Sequence, residues 1–406
     1  MILEDLIVSV DLRGCPNRCS HCWLGHAPNP CHPEGVLREV AEAFRPYTRE
    51  LEVSSWYREP DYGADYRELW ALEQALSTHH VPHFELCSFY RLVRDASYAP
   101  WLYDLGVREM QLTFFGGEAL TDRYVGRPGA YRELLRSLDI LLEHGIAPRI
   151  QVFVNGETLP ELPLVEQMLQ DTRLDARCAD LGRPFHFFLH TGSCGGANRS
   201  HYDHWLTAQD IPRIPEDLLR RTLAYFSASA PSDVFGRPEG ELLAELSNIP
   251  GPVGDIWNLE SAGNDAPVLY VDGSLNAYPN LTAPSPAWCL GNVRRDGAAS
   301  ILRAYLDGSS PAQRALAALP VRALTAYGQA DSLRLFSRDD YVDLLFSRYL
   351  DTQQPAEHRP PVFPQSKECP RCRNSLLFRL FLRRDTNEGS SLFASKREAE
   401  KPRLSP

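Results

Sequence analysis

No run of eighteen apolar residues occurs in this 406-residue chain, which excludes a membrane-spanning helix of ordinary kind. Basic charge is not in excess either. Lys and Arg number 42 against 53 Asp and Glu, and the net charge of −11 argues against a general nucleic-acid binder. The opening residues Met1-Ile2-Leu3-Glu4-Asp5 lack the basic region of a secretory signal and read directly into a strand. No internal repeat is visible. The expected compartment is the cytoplasm, where disulfides are rare. The ten cysteines are therefore read as metal ligands, catalytic thiols or small buried hydrophobes. A composition of 43% hydrophobic and 23% charged residues is that of a globular chain with a sizeable core.

Three of the ten cysteines crowd into one short run, Cys15-Pro16-Asn17-Arg18-Cys19-Ser20-His21-Cys22-Trp23. Three thiolates in one loop can hold three irons of a cubane cluster and leave the fourth open to a substrate or cofactor. Electron-transfer ferredoxins close that position with a fourth Cys. Three unrelated core thiols are the plain alternative, but Pro, Asn, Arg, Ser and His between them suit an exposed loop. Zinc is the other rival, and it usually takes four ligands.

The first two hundred residues alternate strand-like and helix-like stretches. Strands are expected at 3–10, 50–56, 83–89, 109–115, 149–154 and 184–190, with amphipathic helices at 66–76, 130–144 and 162–170. Alternation of this kind implies a parallel sheet with helical crossovers. Six units predict an α/β fold, an incomplete (β/α)6 TIM-like barrel whose site lies at the C-terminal ends of the strands. The cysteine run follows the first strand and would sit at that end. Residues 193–266 read less regularly, with one helix near 216–227. A hairpin is expected from 267–270 and 276–278, turned by Asp272-Gly273, and helices near 298–306 and 338–350. Residues 351–365 look like a linker, and the tail from 385 to 406 is polar and expected to be disordered.

The cysteine run after a first strand, followed by the aromatic Trp23, resembles the radical S-adenosylmethionine (radical SAM) superfamily. The resemblance implies a 4Fe–4S cluster on Cys15, Cys19 and Cys22, with SAM chelating the open iron. One electron then cleaves SAM to a 5′-deoxyadenosyl radical that abstracts hydrogen from substrate, and an external donor such as flavodoxin or ferredoxin supplies the electron. The family usually carries Gly-Gly-Glu-Pro after its second strand, with the Glu near the SAM amino group. Tyr57-Arg58-Glu59-Pro60 holds that position and Gly116-Gly117-Glu118-Ala119 has the better letters, so Glu59 is the expected anchor and Glu118 the reserve. Both family glycines are replaced at Tyr57 and Arg58. Thr113, Arg127 and Asn155 stand at or just beyond strand ends and are candidates for the SAM carboxylate or ribose.

The later segments 269–279 and 289–293 resemble the SPASM/twitch extension of such enzymes, depleted in cysteine. This reading divides the chain into a radical SAM partial barrel (1–215), a small α+β SPASM/twitch-like domain with its bridging segment (216–384) and the tail. Cys289, Cys369 and Cys372 offer three ligands for one auxiliary iron–sulfur cluster, set against a cluster-free cap with a structural Cys369-Pro370-Arg371-Cys372 knuckle. Cys194, in the glycine-rich loop after the sixth strand, is a candidate hydrogen-atom donor, set against a spectator thiol. Cys31, Cys87 and Cys178 read as core or incidental thiols. With the first strand beginning almost at Met1, no room is expected for a peptide-recognition domain. The substrate is therefore expected to be a small-molecule biosynthetic intermediate undergoing oxidation, epimerisation or rearrangement. Maturation of a ribosomally made peptide is the alternative. A non-catalytic iron–sulfur or zinc-binding interaction protein is the rival of another class.

Overall fold

The computed structural model describes residues 2–15, 17–22, 32–55, 60–83, 88–193, 195–257, 266–279 and 285–353. β1 (Leu3–Val10) alternates: Leu6, Val8 and Val10 are buried in one apolar cluster with Val36, Leu37, Val40 and Phe44 of the helix Gly35–Phe44. β2 (Thr48–Ser54) pairs with it in parallel, Ser9 opposite Ser54, and the two hydroxyls bond across the register at 3.0 Å. The amphipathic helix Tyr66–Leu76 follows, with the bounds that its periodicity predicts.

A second parallel sheet is built from β3 (Glu109–Phe114), β4 (Ala147–Phe153) and β5 (His186–His190). Its crossovers carry the helices Glu118–Val125, Ala130–Glu143 and Leu162–Thr172. Met110, Leu112, Phe114, Ile150, Val152, Phe187 and Leu189 are buried in one core cluster with these helices. The alternate residues Glu109, Gln111, Thr113, Arg149 and Gln151 bond to one another on the opposite, polar face.

β6 (Arg237–Pro238) makes a short antiparallel pair with β10 (Leu335–Phe336). β7 (Val268–Val271), β8 (Asn276–Pro279) and β9 (Gly291–Asn292) form an antiparallel ladder. β7 also lies parallel against β1, Ser9 opposite Tyr270, so the C-terminal third shares a sheet with the first strand. The result is an α/β fold with a mixed five-stranded sheet, β2–β1–β7–β8–β9, and a parallel three-stranded sheet, β3–β4–β5.

Two expectations are corrected. Residues 81–83 are not in a strand, and Ser88 caps a short helix, Phe89–Leu92, so the segment near 83–89 forms no strand among the described residues. The β7–β8 hairpin forms and turns at Asp272-Gly273 as expected, Asp272 Oδ1 accepting the N–H groups of Ser274 and Asn276 while Leu275 takes φ 65°. The irregular stretch 193–266 holds a further regular helix, Glu239–Asn248. Pro238 and Gly240 read as breakers, but Pro238 sits at its N-cap, and Gly240 is there because a Cβ would stand 2.3 Å from the Ala330 carbonyl.

Candidate functional site

The chain leaves β1 through Asp11, whose N–H bonds to Val271 O at 2.9 Å and whose Oδ1 accepts Gly14 N–H at 3.2 Å. Gly14 has φ 81° and turns the chain into the cysteine loop. The loop then rests on the end of the helix Glu118–Val125. The last carbonyls of a helix have no partner within it. Here those of Val125 and Tyr124 accept the N–H groups of Arg18 (3.0 Å) and Ser20 (2.9 Å). Gly126, φ 72°, makes this seat possible, since a Cβ there would lie 2.8 Å from Arg18 O. Arg127 donates from Nε to Asn17 Oδ1 (3.2 Å), pairs with Glu133 (2.6 Å) and lies over the rings of Phe89 and Tyr90. On the other side Ala197 N–H bonds to Cys22 O (2.7 Å), and the His201 ring contacts Ser20 O at 3.1 Å.

Cys19 and Cys22 are buried in this seat and Cys15 is half-buried. Between them His21 is buried against Phe115 and Phe153, ring centroids 4.6 and 5.1 Å away. Burial, then the nearby His201 and His190, push its pKa down to about 3, so the ring is neutral at ordinary pH. Its place inside the cysteine run was not singled out in the sequence, where the following Trp23 was; Trp23 lies outside the described residues.

The other candidates separate. Thr113 lies on the polar face and donates to Gln151 Oε1 at 3.2 Å. Asn155 is fully engaged as a turn residue: its Oδ1 accepts Glu157 and Thr158 N–H and its Nδ2 donates to Tyr124 OH at 2.9 Å. Arg127 braces the cysteine loop, as described. Glu118 points away from the loop to Arg132 (2.8 Å) and is exposed. The Gly117 N–H beside it is taken by Glu161 Oε2 at 2.7 Å. Glu59, Cys194, Cys369, Cys372, Cys31 and Cys87 lie outside the described residues. The residue two beyond Glu59, Asp61, is buried and held by Tyr98 OH and His83. Cys289 is half-buried next to β9, its thiol pKa raised by burial and by Asp272 against a hydrogen bond at Gly291. Cys178 is fully buried in the helix Leu174–Asp180, and burial pushes its thiol up to about 11.

Two observations bear on what the site can hold. Among the described residues no three His, Cys, Asp or Glu side chains converge as they would around a single ion. A cubane gives each thiolate its own iron at a separate corner, so thiols spread along one loop suit it better. Buried polar atoms near the loop and on the polar face have no protein partner among the described residues: Asn17 Nδ2, Ser193 Oγ, Asn198 Oδ1 and Gln151 Nε2. Such atoms are costly unless something else satisfies them.

Residues 9–167 match the family model of the Radical SAM superfamily. The chain carries a radical SAM domain and is an enzyme of that class. The match runs from the last two residues of β1 through the cysteine loop and β2 to β4. The radical SAM class implies a 4Fe–4S cluster and SAM. No curated protein matches the sequence. Solved structures similar to it include anSMEcpe with bound AdoMet, at 12% identity over 86% of this chain and 98% of that one, TM-score 0.47. The same protein with AdoMet and the Kp18Cys peptide gives TM-score 0.45. Streptococcus suis SuiB bound to its precursor peptide SuiA gives 9% identity over 68% of this chain and 59% of that one, TM-score 0.36. No described helix is long and apolar enough to cross a membrane.

Proposed function

We propose that Cys15, Cys19 and Cys22 hold the cluster, and that the reaction takes a hydrogen atom from a small-molecule biosynthetic intermediate inside a partial α/β barrel. When bound, the cluster and SAM supply one-electron cleavage of SAM to a 5′-deoxyadenosyl radical. The chain supplies the seat. The observation that carries the reading is the cysteine loop pinned by the Val125 and Tyr124 carbonyls, which fixes the three thiols at the C-terminal end of β1. Thr113 and the Glu59 segment are the protein's groups for SAM. The electron comes from a flavodoxin- or ferredoxin-type donor.

The bonded layer Glu109–Arg149–Gln111–Gln151 makes one face of the three-stranded sheet polar, and this supports the small-molecule reading. Peptides are what the anSMEcpe and SuiB structures hold, and maturation of a ribosomally made peptide is the second reading. The C-terminal third serves as a SPASM/twitch-like cap, supported by the β7–β8 hairpin and the Gly291-Asn292 pairing. Cys289 with Cys369 and Cys372 is its ligand set for an auxiliary cluster, and Cys194 is the hydrogen-atom donor.

The test is anaerobic reconstitution with iron and sulfide, then dithionite and SAM. We expect a brown protein that forms 5′-deoxyadenosine, with both properties lost from the catalytic site in a Cys15/Cys19/Cys22→Ala variant. A cluster-loaded protein that makes no 5′-deoxyadenosine would instead be a binding protein. Stimulation of SAM cleavage by a dialysable, protease-resistant fraction favours the small molecule, and loss of stimulation on protease treatment favours the peptide.

A further inference from the structure

The cysteine loop turns a thin wall to the outside. Asn17 and Cys19 are buried, yet Arg18 between them is exposed, and so are Gly126 and Pro128 beside its seat on the helix end. Solvent therefore reaches the chain one residue away from a buried thiol. The charge on this side is uneven. Arg127, which donates to Asn17, shares the single carboxylate of Glu133 with Arg94. Both guanidinium groups lie over the Tyr90 ring, 5.5 and 3.6 Å from its centroid. Two cations on one carboxylate leave a positive surplus. Arg136, exposed and three positions on from Glu133, adds a cation on the same side of the helix Ala130–Glu143. The neighbouring acids are engaged elsewhere: Asp95 faces Arg91 at 3.9 Å, Glu157 pairs with Arg123 at 2.6 Å, and Glu118 with Arg132 at 2.8 Å. Asp122 accepts the N–H groups of Gly129 and Tyr131, where the positive end of a helix offsets its charge. This surplus stands on a chain whose net charge is −11.

Electron transfer between proteins falls off steeply with distance, so a carrier must approach where the wall over its target is thinnest. Complementary charge sets how often such an encounter succeeds. We propose that the back of the cysteine loop, with Arg18, Arg94, Arg127 and Arg136 around it, is the docking surface for an acidic one-electron carrier protein of flavodoxin or ferredoxin type. The carrier gives up one electron and is oxidised, and the cluster assigned to Cys15, Cys19 and Cys22 is reduced by that electron. No bond is made or broken in this step. The inference rests on the radical SAM reading for the need of an electron, and it adds where on the chain the electron enters.

The test uses the full-length reconstituted protein and flavodoxin as the probe. Two quantities are measured at low and high salt: the affinity for oxidised flavodoxin, by titration calorimetry, and the rate of cluster reduction by flavodoxin hydroquinone, by stopped-flow absorbance. Photoreduced 5-deazariboflavin, small and uncharged, is the comparison reductant. For wild type both quantities should fall as salt rises. Arg94→Glu should lower both about tenfold at low salt, the scale of lost electrostatic steering, and leave reduction by deazariboflavin unchanged. Arg136→Glu should act in the same direction and stands as the second variant if Arg94→Glu fails to fold by circular dichroism. Arg303→Glu makes the same change of charge on the helix Ala298–Leu306, exposed and packed with the other core cluster, and should leave both quantities as in wild type. Equal loss in Arg94→Glu and Arg303→Glu, or no loss in either patch variant, overturns the proposal. So does a self-association of the protein that Arg94→Glu abolishes while flavodoxin affinity stays unchanged, which would give the face to a second copy. Neither readout needs SAM cleavage. Flavodoxin docking and cluster reduction through this face without 5′-deoxyadenosine formation would therefore sink the enzymatic reading alone.

Discussion

Gly126 is the residue on which the cysteine loop's seat turns. Its φ of 72° is a left-handed conformation that costs other residues about 1–2 kcal/mol. A Cβ would also press on the Arg18 carbonyl at 2.8 Å. Gly126→Ala should therefore lift the loop from the helix end that holds it. We expect a loss of about 2 kcal/mol in unfolding free energy, with iron content after reconstitution below that of wild type. Unchanged iron and an unchanged denaturation midpoint would show that the loop does not depend on this seat. His21 belongs to the same scale: it became visible as a packed, neutral ring only once Phe115 and Phe153 closed around it.

Among the elements, β3, β4 and β5 are tied at their N-terminal ends by Glu109, which bonds Arg149 and His186. Burial by itself would raise the Glu109 pKa, but the His186 hydrogen bond and the Arg149 charge outweigh it and hold the carboxyl below its ordinary value of 4.5. A carboxyl depressed in the folded state stabilises the fold fully above its unfolded pKa, and that contribution is lost as pH falls through the folded value. Wild-type thermal stability should thus fall more steeply than that of Glu109→Gln between about pH 5 and about pH 3. Parallel melting curves for the two proteins across that interval would remove Glu109 from the account.

Over the whole molecule, the segment beside the cysteine loop and the C-terminal helices meet at one buried carboxylate. Glu239 is 0% exposed and accepts from Tyr202 OH (2.6 and 2.8 Å), Tyr341 OH (2.8 Å) and Gln329 N–H (3.1 Å). Tyr202 lies in the same short helical segment, Gly196–His204, as Ala197 and His201, which touch the cysteine loop. Its hydroxyl pKa is pushed up to about 12 by burial and by Glu239. Tyr341→Phe removes one bond to a charged group and should cost about 1.5–3 kcal/mol, read as a lower urea midpoint with an unchanged slope. A midpoint within error of wild type would mean that the remaining donors satisfy Glu239.

What could be read from the chain was local. Cys15, Cys19 and Cys22 share one loop whatever the fold, so their convergence needed no tertiary knowledge. The alternating apolar residues of β1 and the helical spacing of 66–76 and 298–306 announce their own burial, and those bounds stand as expected. Glu239–Asn248 was missed because Pro238 and Gly240 look like breakers until Ala330 is known to press on Gly240. The Gln111–Gln151 pair could not be seen either. Two glutamines forty positions apart mean nothing until parallel register sets Gln111 opposite Arg149 and Thr113 opposite Gln151. The sequence by itself determined which thiols stand together, because three cysteines in one run are brought close by spacing alone. Tertiary structure alone decided the seat and the polar layer: a helix's spare carbonyls, and amides bonded across two strands, meet their partners only once distant segments are packed together.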